Sequence, residues 1–387
     1  MTDFLISLAD VKNMKDYTDN PDNYMISLGL TEAQRNAVKK SNLQQIRRYA
    51  AIEMRNDSIH ARLLDKIYED WEISVVGHTI SPENVLRDDN SDFDLEPHFD
   101  IDADHDHSDL DSKGNIPKYY SFLFDLNWYQ TKSNELLFVG SGINGCNHLS
   151  AETITYISNA TKVLYCVADL VIERKILLLN ENSEDLYVYY SDDKSRRKTY
   201  EQMVARILEV LKTNSLVCVV FYGHPGIFVW PSFAAIEQAK SLGYKARMLP
   251  AISSLDCMFA DIGFDPSRHS CQIFEATDLL VRSRIPDIFS AVIIFQAGCV
   301  GDLGYNSKGY DRRNVPILAK YLSQFYGGDY EILLYEAAQY PICNPKIKLI
   351  QIDALSKANL SGITTIYIPP QKFAKRNIEI IKRLGLE

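Results

Sequence analysis

The feature that most limits what this chain can fold into is a change of hydrophobic pattern at about residue 135. From there on, short apolar segments of strand length alternate with longer segments of helical periodicity. The segment Ser215–Tyr222 is apolar almost throughout, as expected of a strand buried on both faces, and it follows a strong predicted helix over Arg196–Thr213. This alternation predicts an α/β fold in which helices cover both faces of a parallel sheet.

The predicted elements divide this part of the chain into two lobes. In an N-terminal lobe over residues 134–261 we predict further strands at Leu136–Val139, Lys162–Val167 and Ala246–Leu249. Further helices are predicted at Asn147–Ala160, Ser232–Leu242 and Ser253–Ala260. In a C-terminal lobe over residues 262–387 we predict strands at Ala291–Phe295, Tyr330–Tyr335, Ile347–Ile350 and Thr364–Ile368. We therefore expect a two-lobed α/β fold.

Residues 1–70 have a different pattern, typical of short helices. Thr31 and Gln34 form a capping-box pair, and Asn42 can cap a longer helix that follows it. A small all-α module of four helices that recognises another molecule is our first interpretation, and a plain N-terminal extension is the alternative. The helical periodicity is lost over residues 71–133, which predicts a linker.

The linker carries almost all of the net charge of the chain. Eleven residues between Asp88 and Ser112 are acidic and none is Lys or Arg, whereas the whole chain has a formal net charge of -10. The remainder is close to neutral, so the composition does not favour a nucleic-acid-binding surface. The run Asp100–Asp106 imitates the start of a calcium loop, but His105 stands where the sharp turn needs glycine. We therefore predict a charged, acidic linker and no metal.

The seven cysteines are at least fourteen residues apart, so no pair has the spacing of a zinc site or a redox motif. Several lie in apolar strand-like runs, as buried thiols do in a reducing compartment. The start of the chain lacks the pattern of a signal peptide, and the most apolar stretch, Leu216–Trp230, is too short to span a bilayer. We therefore expect a cytoplasmic protein without a membrane-spanning segment.

Three glycine- or proline-containing turns follow predicted strands of the N-terminal lobe. Gly140–Gly145 has the GxGxxG pattern of a dinucleotide site, but helical periodicity starts only after it, so a turn that brings a substrate close to the backbone is an equal alternative. Tyr222–Gly226 ends a buried strand at the edge where α/β sheets bind ligands, and its residue types favour ligand contact over a plain turn. Pro250–Ser254 has a similar design, with Ser253 as a candidate N-cap.

A cluster of tyrosines and cations precedes and opens the helix predicted at Arg196. It comprises Tyr187, Tyr189, Tyr190, Lys194 and the sequence Arg196-Arg197-Lys198-Thr199-Tyr200. Such a run is usually a solvated basic face. Cations at a helix N-terminus oppose the helix dipole, however, and this cost indicates a functional role.

Together these motifs resemble those of the tetrapyrrole-methylase superfamily and, within it, of the borosin peptide backbone α-N-methyltransferases. The resemblance covers about residues 135–387 and is carried by Val139–Gly142, His148–Ser150, Arg196–Met203, Tyr222–Gly226, Ile252–Ser254, Phe274–Thr277, Phe295–Gln296 and Thr364–Pro370. Residues 4–53 are also similar to the helical borosin-binding domain, and Ile73–His78 resembles the core segment of borosin precursors. Because the sequence ends at Glu387, directly after a predicted helix, we expect no core segment behind the C-terminal lobe.

The resemblance implies a cofactor, a site and partners. S-adenosylmethionine would be the cofactor, lined by Tyr222, His224, Ile227, Ser253, Ser254, Gln296, Ala337, Thr364 and Thr365. Arg196, Tyr200 and Tyr190 would be catalytic, with Tyr187 and Tyr189 as alternatives to Tyr190. The substrate would be a ribosomally made peptide, which is either a separate precursor or the chain's own segment near residues 73–79, methylated at Ile73, Val75 or Val76. A homodimer is implied as well.

For this reaction we expect Arg196 to stabilise the oxyanion that develops on the amide, and a tyrosinate to accept the amide proton. The second expectation follows because a cationic neighbour lowers the pKa of a tyrosine from about 10. Two other functions stay open: a methyltransferase for corrin- or sirohaem-type tetrapyrroles, which would not need the N-terminal module, and a catalytically inactive carrier of a precursor peptide. A nicotinamide oxidoreductase rests on the GxGxxG pattern alone.

Overall fold

The computed structural model describes residues 1–55, 132–167, 169–192, 194–306 and 309–386. The acidic segment, the calcium-like run and the candidate core segment with Ile73, Val75 and Val76 lie outside these ranges. The chain divides into two compact units, which we call unit 1 (residues 1–253, 304–308 and 340–342) and unit 2 (residues 254–303, 309–339 and 343–387). The four-part domain division drawn from the sequence stays a prediction.

Unit 1 begins with five short helices. They are α1 (Thr2–Ser7), α2 (Val11–Asp19), α3 (Pro21–Ser27), α4 (Glu32–Lys39) and α5 (Leu43–Arg55). The prediction of four helices is wrong because the side chain of Asp10 caps α2 by accepting two backbone N–H groups, which separates α2 from α1. The predicted capping box of Thr31 and Gln34 is present at α4, and Asn42 caps α5 as predicted.

The remainder of unit 1 is built on a five-stranded parallel sheet. Its strands are β1 (Glu135–Gly140), β2 (Lys162–Cys166), β3 (Ser183–Asp185), β4 (Leu216–Phe221) and β5 (Lys245–Met248), in the order β3-β2-β4-β1-β5. Its helices are α6 (Ala151–Asn159), α7 (Leu170–Leu179), α8 (Arg196–Leu211) and α9 (Trp230–Ser241). Phe138 and Val219 pack into a core with α8 and α9, and Leu137 and Val220, which point to the other face, are also fully buried. The predicted parallel sheet with two covered faces is confirmed.

Unit 2 contains a mixed five-stranded sheet. Its strands are β6 (Cys271–Glu275), β7 (Ala291–Phe295), β8 (Glu331–Glu336), β9 (Lys346–Gln351) and β10 (Thr365–Ile368), in the order β6-β7-β10-β8-β9. Its helices are α10 (Ser254–Ile262), α11 (Pro266–His269), α12 (Ala276–Val281), α13 (Val315–Tyr326) and α14 (Ile378–Arg383). The pair β6–β7 is parallel, and the other three pairs are antiparallel. The second α/β lobe and its four predicted strands are confirmed, and β6 is an additional strand.

The largest boundary error in the predicted helices is at the start of α6. This helix was expected from Asn147 and begins at Ala151, because the hydroxyl of Ser150 caps it by accepting from the backbone N–H of Thr153 at 3.0 Å. The preceding residues Gly145–His148 form a separate 3-10 turn.

All seven cysteines are free thiols. Within the described ranges, no helix combines the length and the apolar character needed to cross a membrane.

Candidate functional site

Backbone turns meet closely at the carboxyl edge of the first sheet. Gly140 ends β1, and Gly223 lies in the turn after the neighbouring strand β4. Gly142 and Gly223 pair in an antiparallel bridge, with N–H to oxygen distances of 3.2 and 3.1 Å. A Cβ atom on Gly140 would stand 2.1 Å from the carbonyl oxygen of Gly223 and 2.5 Å from the Cβ of Ala251. The glycines are therefore needed for close approach of the main chain.

The GxGxxG segment forms a loop and does not open an α-helix. Its third glycine, Gly145, begins a 3-10 turn, and Nδ1 of His148 accepts hydrogen bonds from two backbone N–H groups of the loop, at 3.2 and 3.1 Å. A dinucleotide site would also need an acidic residue after the next strand to bind the ribose. Asp169, which follows β2, is instead buried, caps α7 and accepts a hydrogen bond from the hydroxyl of Tyr340. This geometry favours a turn that brings a substrate close to the backbone over a binding site for a nicotinamide dinucleotide.

Four of the residues predicted to line the cofactor lie on turns at this same edge. Tyr222, His224 and Ile227 follow β4, and Ser253 lies in the segment after β5. Because β4 and β5 lie on either side of β1 and run parallel to it, the carboxyl ends of all three strands lie at the same edge of the sheet. Nδ1 of His224 accepts from the backbone N–H of Gly226 at 2.9 Å, which fixes the turn. The structure therefore brings these turns to one edge of unit 1.

In unit 2 another group of predicted residues converges on one edge of the second sheet. Gln296 follows β7, Ala337 follows β8, and Thr364 directly precedes β10, whose first residue is Thr365. Since β10 is antiparallel to both β7 and β8 and lies between them, its start is beside the ends of these two strands. The register therefore groups these four residues. Ser254, the fifth predicted residue of this unit, is the first residue of α10.

The group in unit 2 combines a strained backbone with a charged hydrogen-bond network. Gln296 has a left-handed conformation, with φ 58° and ψ 30°, which costs a non-glycine residue about 1 kcal/mol or more and often marks a functional site. Thr364 donates to Oε1 of Glu336 at 2.6 Å. Burial raises the pKa of Glu336, but hydrogen bonds from Lys346, Ser361 and Thr364 outweigh it and hold this pKa below its usual value. The hydroxyl and carboxylate groups at this edge of unit 2 can form hydrogen bonds with a polar ligand.

The three residues predicted to be catalytic lie together in unit 1 at the start of α8. Arg196 is the first residue of α8, Tyr200 lies one turn later, and Tyr190 directly follows the 3-10 turn Tyr187–Tyr189 that precedes the helix. The hydroxyl groups of Tyr190 and Tyr200 are hydrogen-bonded, and the charge of Arg196 acts on Tyr190. Tyr187 packs its ring against Tyr190, at 4.9 Å between centroids, but of the three tyrosines only Tyr190 is described with both Tyr200 and Arg196 acting on its hydroxyl. Of the three alternatives, Tyr190 is therefore the one we retain.

The pKa of Tyr190 corrects one expectation. Burial raises this pKa well above 10, the neighbouring Tyr200 and Cys166 raise it further, and Arg196 lowers it by less than these effects raise it. The expectation that the cation makes this tyrosine acidic is wrong for Tyr190, because removing a phenolate from water costs more than one nearby cation recovers. Tyr190 is therefore a neutral hydroxyl.

The sequence does not point to three neighbours of the residues predicted to be catalytic. Tyr305 packs against two of the tyrosines, at ring distances of 5.0 and 5.9 Å, and Trp230 stacks on Tyr200. The carbonyl oxygen of Gly304 accepts from Nη2 of Arg196 at 3.2 Å. Gly304 and Tyr305 lie more than one hundred residues further along the chain, so no local pattern connects them with the cluster. Trp230 could have been found by its closeness to the Tyr222–Gly226 turn.

Comparison with known proteins assigns the chain to a family. The sequence profile of the tetrapyrrole (corrin/porphyrin) methylases matches residues 135–341. The chain is 41% identical over 261 residues to the methyltransferase/ribosomally synthesized cyclic peptide omphalotin A precursor of Omphalotus olearius, which covers 66% of this chain and 63% of that protein. It is 42% identical over 259 residues to the corresponding dendrothelin A precursor of Dendrothele bispora, covering 66% and 62%.

A third relative is the methyltransferase/ribosomally synthesized type I borosin cyclic peptide precursor of Coprinopsis marcescibilis. It is 38% identical over 265 residues, which cover 66% of this chain and 68% of that protein. The chain spans a little over three fifths of the length of the omphalotin A and dendrothelin A precursors. The profile match and these identities agree with the motifs at the edges of both sheets. The chain therefore belongs to the tetrapyrrole (corrin/porphyrin) methylase family and, within it, to the borosin methyltransferase/precursor proteins.

Proposed function

We propose that this chain is an S-adenosylmethionine-dependent methyltransferase that N-methylates backbone amides of a ribosomally made peptide. The observation that carries this proposal is at Arg196, whose guanidinium donates to the backbone carbonyl of Gly304 beside the paired hydroxyls of Tyr190 and Tyr200. A cation that binds a peptide carbonyl next to two phenols suits a substrate whose reactive group is itself an amide. The names of the relatives, methyltransferases joined to cyclic-peptide precursors, support the same substrate class.

The chemical difficulty is that an amide nitrogen is a poor nucleophile, because its lone pair is delocalised into the carbonyl group. Methylation requires that negative charge move onto the oxygen and that the N–H proton leave. When bound, S-adenosylmethionine supplies an electrophilic methyl group, and the protein supplies position and electrostatics. One donor placed at a developing oxyanion contributes on the order of 10²–10³ in rate.

The cluster at the start of α8 divides these tasks among three side chains. Arg196 binds the amide oxygen and stabilises the charge that develops there. Tyr200 accepts the amide proton and later releases it to solvent, while the neutral hydroxyl of Tyr190 donates a hydrogen bond to the oxygen of Tyr200 and stabilises its negative charge. The high pKa of Tyr190 supports this division, because burial keeps its proton in place.

The cofactor-binding residues of the proposal form one group in each unit. The group of unit 1 is Tyr222, His224, Ile227 and Ser253, and the group of unit 2 is Ser254, Gln296, Ala337, Thr364 and Thr365. The close approach at Gly140 and the strained backbone at Gln296 support a ligand-binding role for these edges.

A homodimer and a cytoplasmic location belong to the same proposal. The outer strand β9 leaves Ile347 and Leu349 44% and 56% exposed, and an apolar sheet edge of this kind is a surface that a second copy can cover. The seven free thiols support a reducing compartment.

As substrate we favour the chain's own segment near residues 73–79 over a separate precursor, since a tether raises its local concentration to roughly mM.

The test is the intact mass of the protein purified from cells, where S-adenosylmethionine is present. We expect steps of about 14 Da per methyl group, which fragmentation assigns to residues 73–79. Arg196→Ala should lower methyl transfer on the order of 10²–10³-fold and leave binding of S-adenosylhomocysteine unchanged.

The matched control is Arg197→Ala. Arg197 is the next residue of α8, is exposed and pairs with Glu201 at 3.0 Å, so its loss should leave turnover within about threefold of wild type. Wild-type turnover in Arg196→Ala, or equal losses in both variants, would contradict the assigned roles. An unmodified protein that methylates an added peptide would move the substrate from the chain itself to a separate precursor.

A further inference from the structure

We propose that Tyr305 is a positioning residue, which holds Tyr190 opposite Tyr200 and, through its neighbour Gly304, holds Arg196 in place for methyl transfer. This inference rests on the proposed function. In the roles assigned above, Tyr305 contacts neither the amide nor the cofactor, so it acts on the reaction only through its neighbours. Gly304, Tyr305 and Asn306 belong to unit 1, as does the whole catalytic cluster.

The first observation is a closed set of three aromatic rings. Tyr305 lies 5.0 Å from Tyr190 and 5.9 Å from Tyr187, and the last two rings are 4.9 Å apart. The hydroxyl groups of Tyr187 and Tyr305 are hydrogen-bonded at 3.1 Å. Each ring therefore contacts the other two, and Tyr305 closes the set on one side of Tyr190.

The second observation is a backbone contact at the start of α8. Ser195, the N-cap of this helix, forms an antiparallel bridge with Gly304. The next residue, Arg196, donates from Nη2 to the carbonyl oxygen of the same Gly304 at 3.2 Å. Two consecutive residues, Gly304 and Tyr305, thus contact both the guanidinium and the tyrosine on which the proposed reaction depends.

The local structure around Tyr190 explains why a distant residue is needed. Tyr187–Tyr189 is a single 3-10 turn without a buried residue, and Tyr190 follows it in an extended conformation. Asp185 and Thr199 anchor the backbone of this turn through hydrogen bonds to Tyr187 and Tyr189, but these bonds do not set the direction of the Tyr190 ring. The direction of the Tyr190 ring must therefore be set by packing, and Tyr305 supplies one of the packing surfaces.

If Tyr305 only positions Tyr190 and Arg196, its removal should lower the rate of methyl transfer without weakening the binding of peptide or cofactor. A displacement of about 1 Å at a reacting group can lower a rate about 10²-fold. We therefore expect Tyr305→Ala to lower kcat by about 30- to 100-fold, with the KM for the peptide and the affinity for S-adenosylhomocysteine within about threefold of wild type. Tyr305→Phe keeps the ring and loses only the hydroxyl contact, so it should retain activity within about fivefold.

The matched control is Tyr321→Ala in α13 of unit 2. Tyr321 is also half-buried, packs its ring against Phe325 at 5.3 Å, and donates from its hydroxyl to the carbonyl of Arg284 at 2.9 Å. Its removal deletes a comparable side chain outside unit 1. We expect kcat to remain at the wild-type value, so that a general loss of stability is separated from a loss of position.

A second measurement does not depend on methyl transfer. In the structure Tyr190 is half-buried, and Tyr200, Cys166 and Arg196 are the titratable groups that act on it. Removing the Tyr305 ring admits water, so the phenol of Tyr190 should ionise closer to pH 10. Tyrosinate absorbance is titrated in wild type and Tyr305→Ala, each with and without Tyr190→Phe, and the difference isolates Tyr190.

The two measurements separate the failure of this inference from the failure of the proposed function. Unchanged titration together with unchanged kcat in Tyr305→Ala would overturn the positioning role and leave the proposed function standing. If the titration shifts but wild type transfers no methyl group to any peptide, the proposed function fails while the contact assigned to Tyr305 is supported. An equal loss of kcat in Tyr321→Ala would also overturn the positioning role.

Discussion

At Gly140 a single added methyl group is expected to separate the turns of the proposed cofactor site. A Cβ atom there would lie 2.1 Å from a backbone oxygen of Gly223, 2.5 Å from the Cβ of Ala251 and 2.8 Å from Cδ of Pro225. None of these atoms is the mobile end of a side chain, so the backbone itself must shift. We expect Gly140→Ala to weaken S-adenosylhomocysteine binding at least about tenfold, by calorimetry, and to lower the free energy of unfolding by about 1–3 kcal/mol, by chemical denaturation.

The control for Gly140→Ala is Gly263→Ala. Gly263 has a positive φ of 66°, but an added Cβ there meets nothing within 4 Å. Only the backbone conformation is penalised, at about 1 kcal/mol, and ligand binding should not change. Wild-type affinity in Gly140→Ala would show that the meeting of these turns has no part in binding the cofactor.

Glu173 of α7 is a buried carboxyl group that makes stability depend on pH. It is 3% exposed and accepts a hydrogen bond from the hydroxyl of Tyr165 at 2.9 Å. Burial and the nearby Asp185 raise its pKa from 4.5 to about 7. Because the folded protein favours the protonated form, the stabilisation is complete below pH 4.5 and is lost as the pH rises through 7.

Glu173→Gln tests this pH dependence, since glutamine has a similar shape and does not titrate. From pH 5 to pH 8 the free energy of unfolding should decrease in the wild type by on the order of 2–3 kcal/mol more than it does in Glu173→Gln. Burial also raises the pKa of Asp185 to about 7, and because Asp185 and Glu173 act on each other, the difference between the two proteins reports the titration of the pair. Parallel curves of unfolding free energy against pH would show that Glu173 is charged in the folded state.

At the scale of elements, a buried polar link joins the N-terminal helices to α7. Arg47 of α5 hydrogen-bonds Tyr340, and the hydroxyl of Tyr340 donates to Asp169, the N-cap of α7. Nearby, the hydroxyl of Ser41 donates to the backbone carbonyl of Ile342 at 2.6 Å. The helical module is therefore bound to the methylase sheet of unit 1 by polar contacts as well as by apolar packing.

We expect Tyr340→Phe to loosen this attachment, because it removes a hydrogen-bond donor from the buried carboxylate of Asp169, at a cost of about 1–3 kcal/mol. Amide hydrogen exchange should become faster in α1, α5 and α7. Ser150→Ala is the control, since losing the N-cap of α6 costs about 1 kcal/mol and should speed exchange in α6 alone. If Tyr340→Phe leaves the exchange of α1 and α5 unchanged, the link does not hold the module.

The elements predicted correctly from the sequence are those whose cause is local. The strand β4 is visible as a continuous apolar run, the capping box at Thr31 is complete within four residues, and Tyr190, Arg196 and Tyr200 lie within eleven residues of one another. In contrast, β3 has only three half-buried residues and α7 is apolar on most sides, so neither shows a clear period. Tyr305 could not be predicted because its hydroxyl partner is 118 residues away and only the tertiary fold brings them together.

At the scale of the whole molecule, the proposed substrate segment and the proposed active site are joined by the chain itself. About 55 residues lie between residue 79 and residue 134. A chain of this length can span at most about 190 Å when fully extended, which is more than the size of a domain. A tether of this reach does not by itself select the active site of the same chain over that of a second copy, so the choice depends on the proposed dimer.

We expect the segment to enter the active site of the partner copy in the proposed homodimer. When Arg196→Ala and wild-type chains are produced in the same cell, methyl groups should therefore appear on the Arg196→Ala chain, whose own site lacks the guanidinium but whose segment is intact. The substitution gives the two chains different masses, so intact-mass spectrometry of the mixed dimer reads each one separately. Arg196→Ala produced alone should carry almost no methyl groups. Mixed dimers in which only the wild-type chain is methylated would instead show that each segment enters its own active site, and that the second copy contributes no catalytic residue to the reaction.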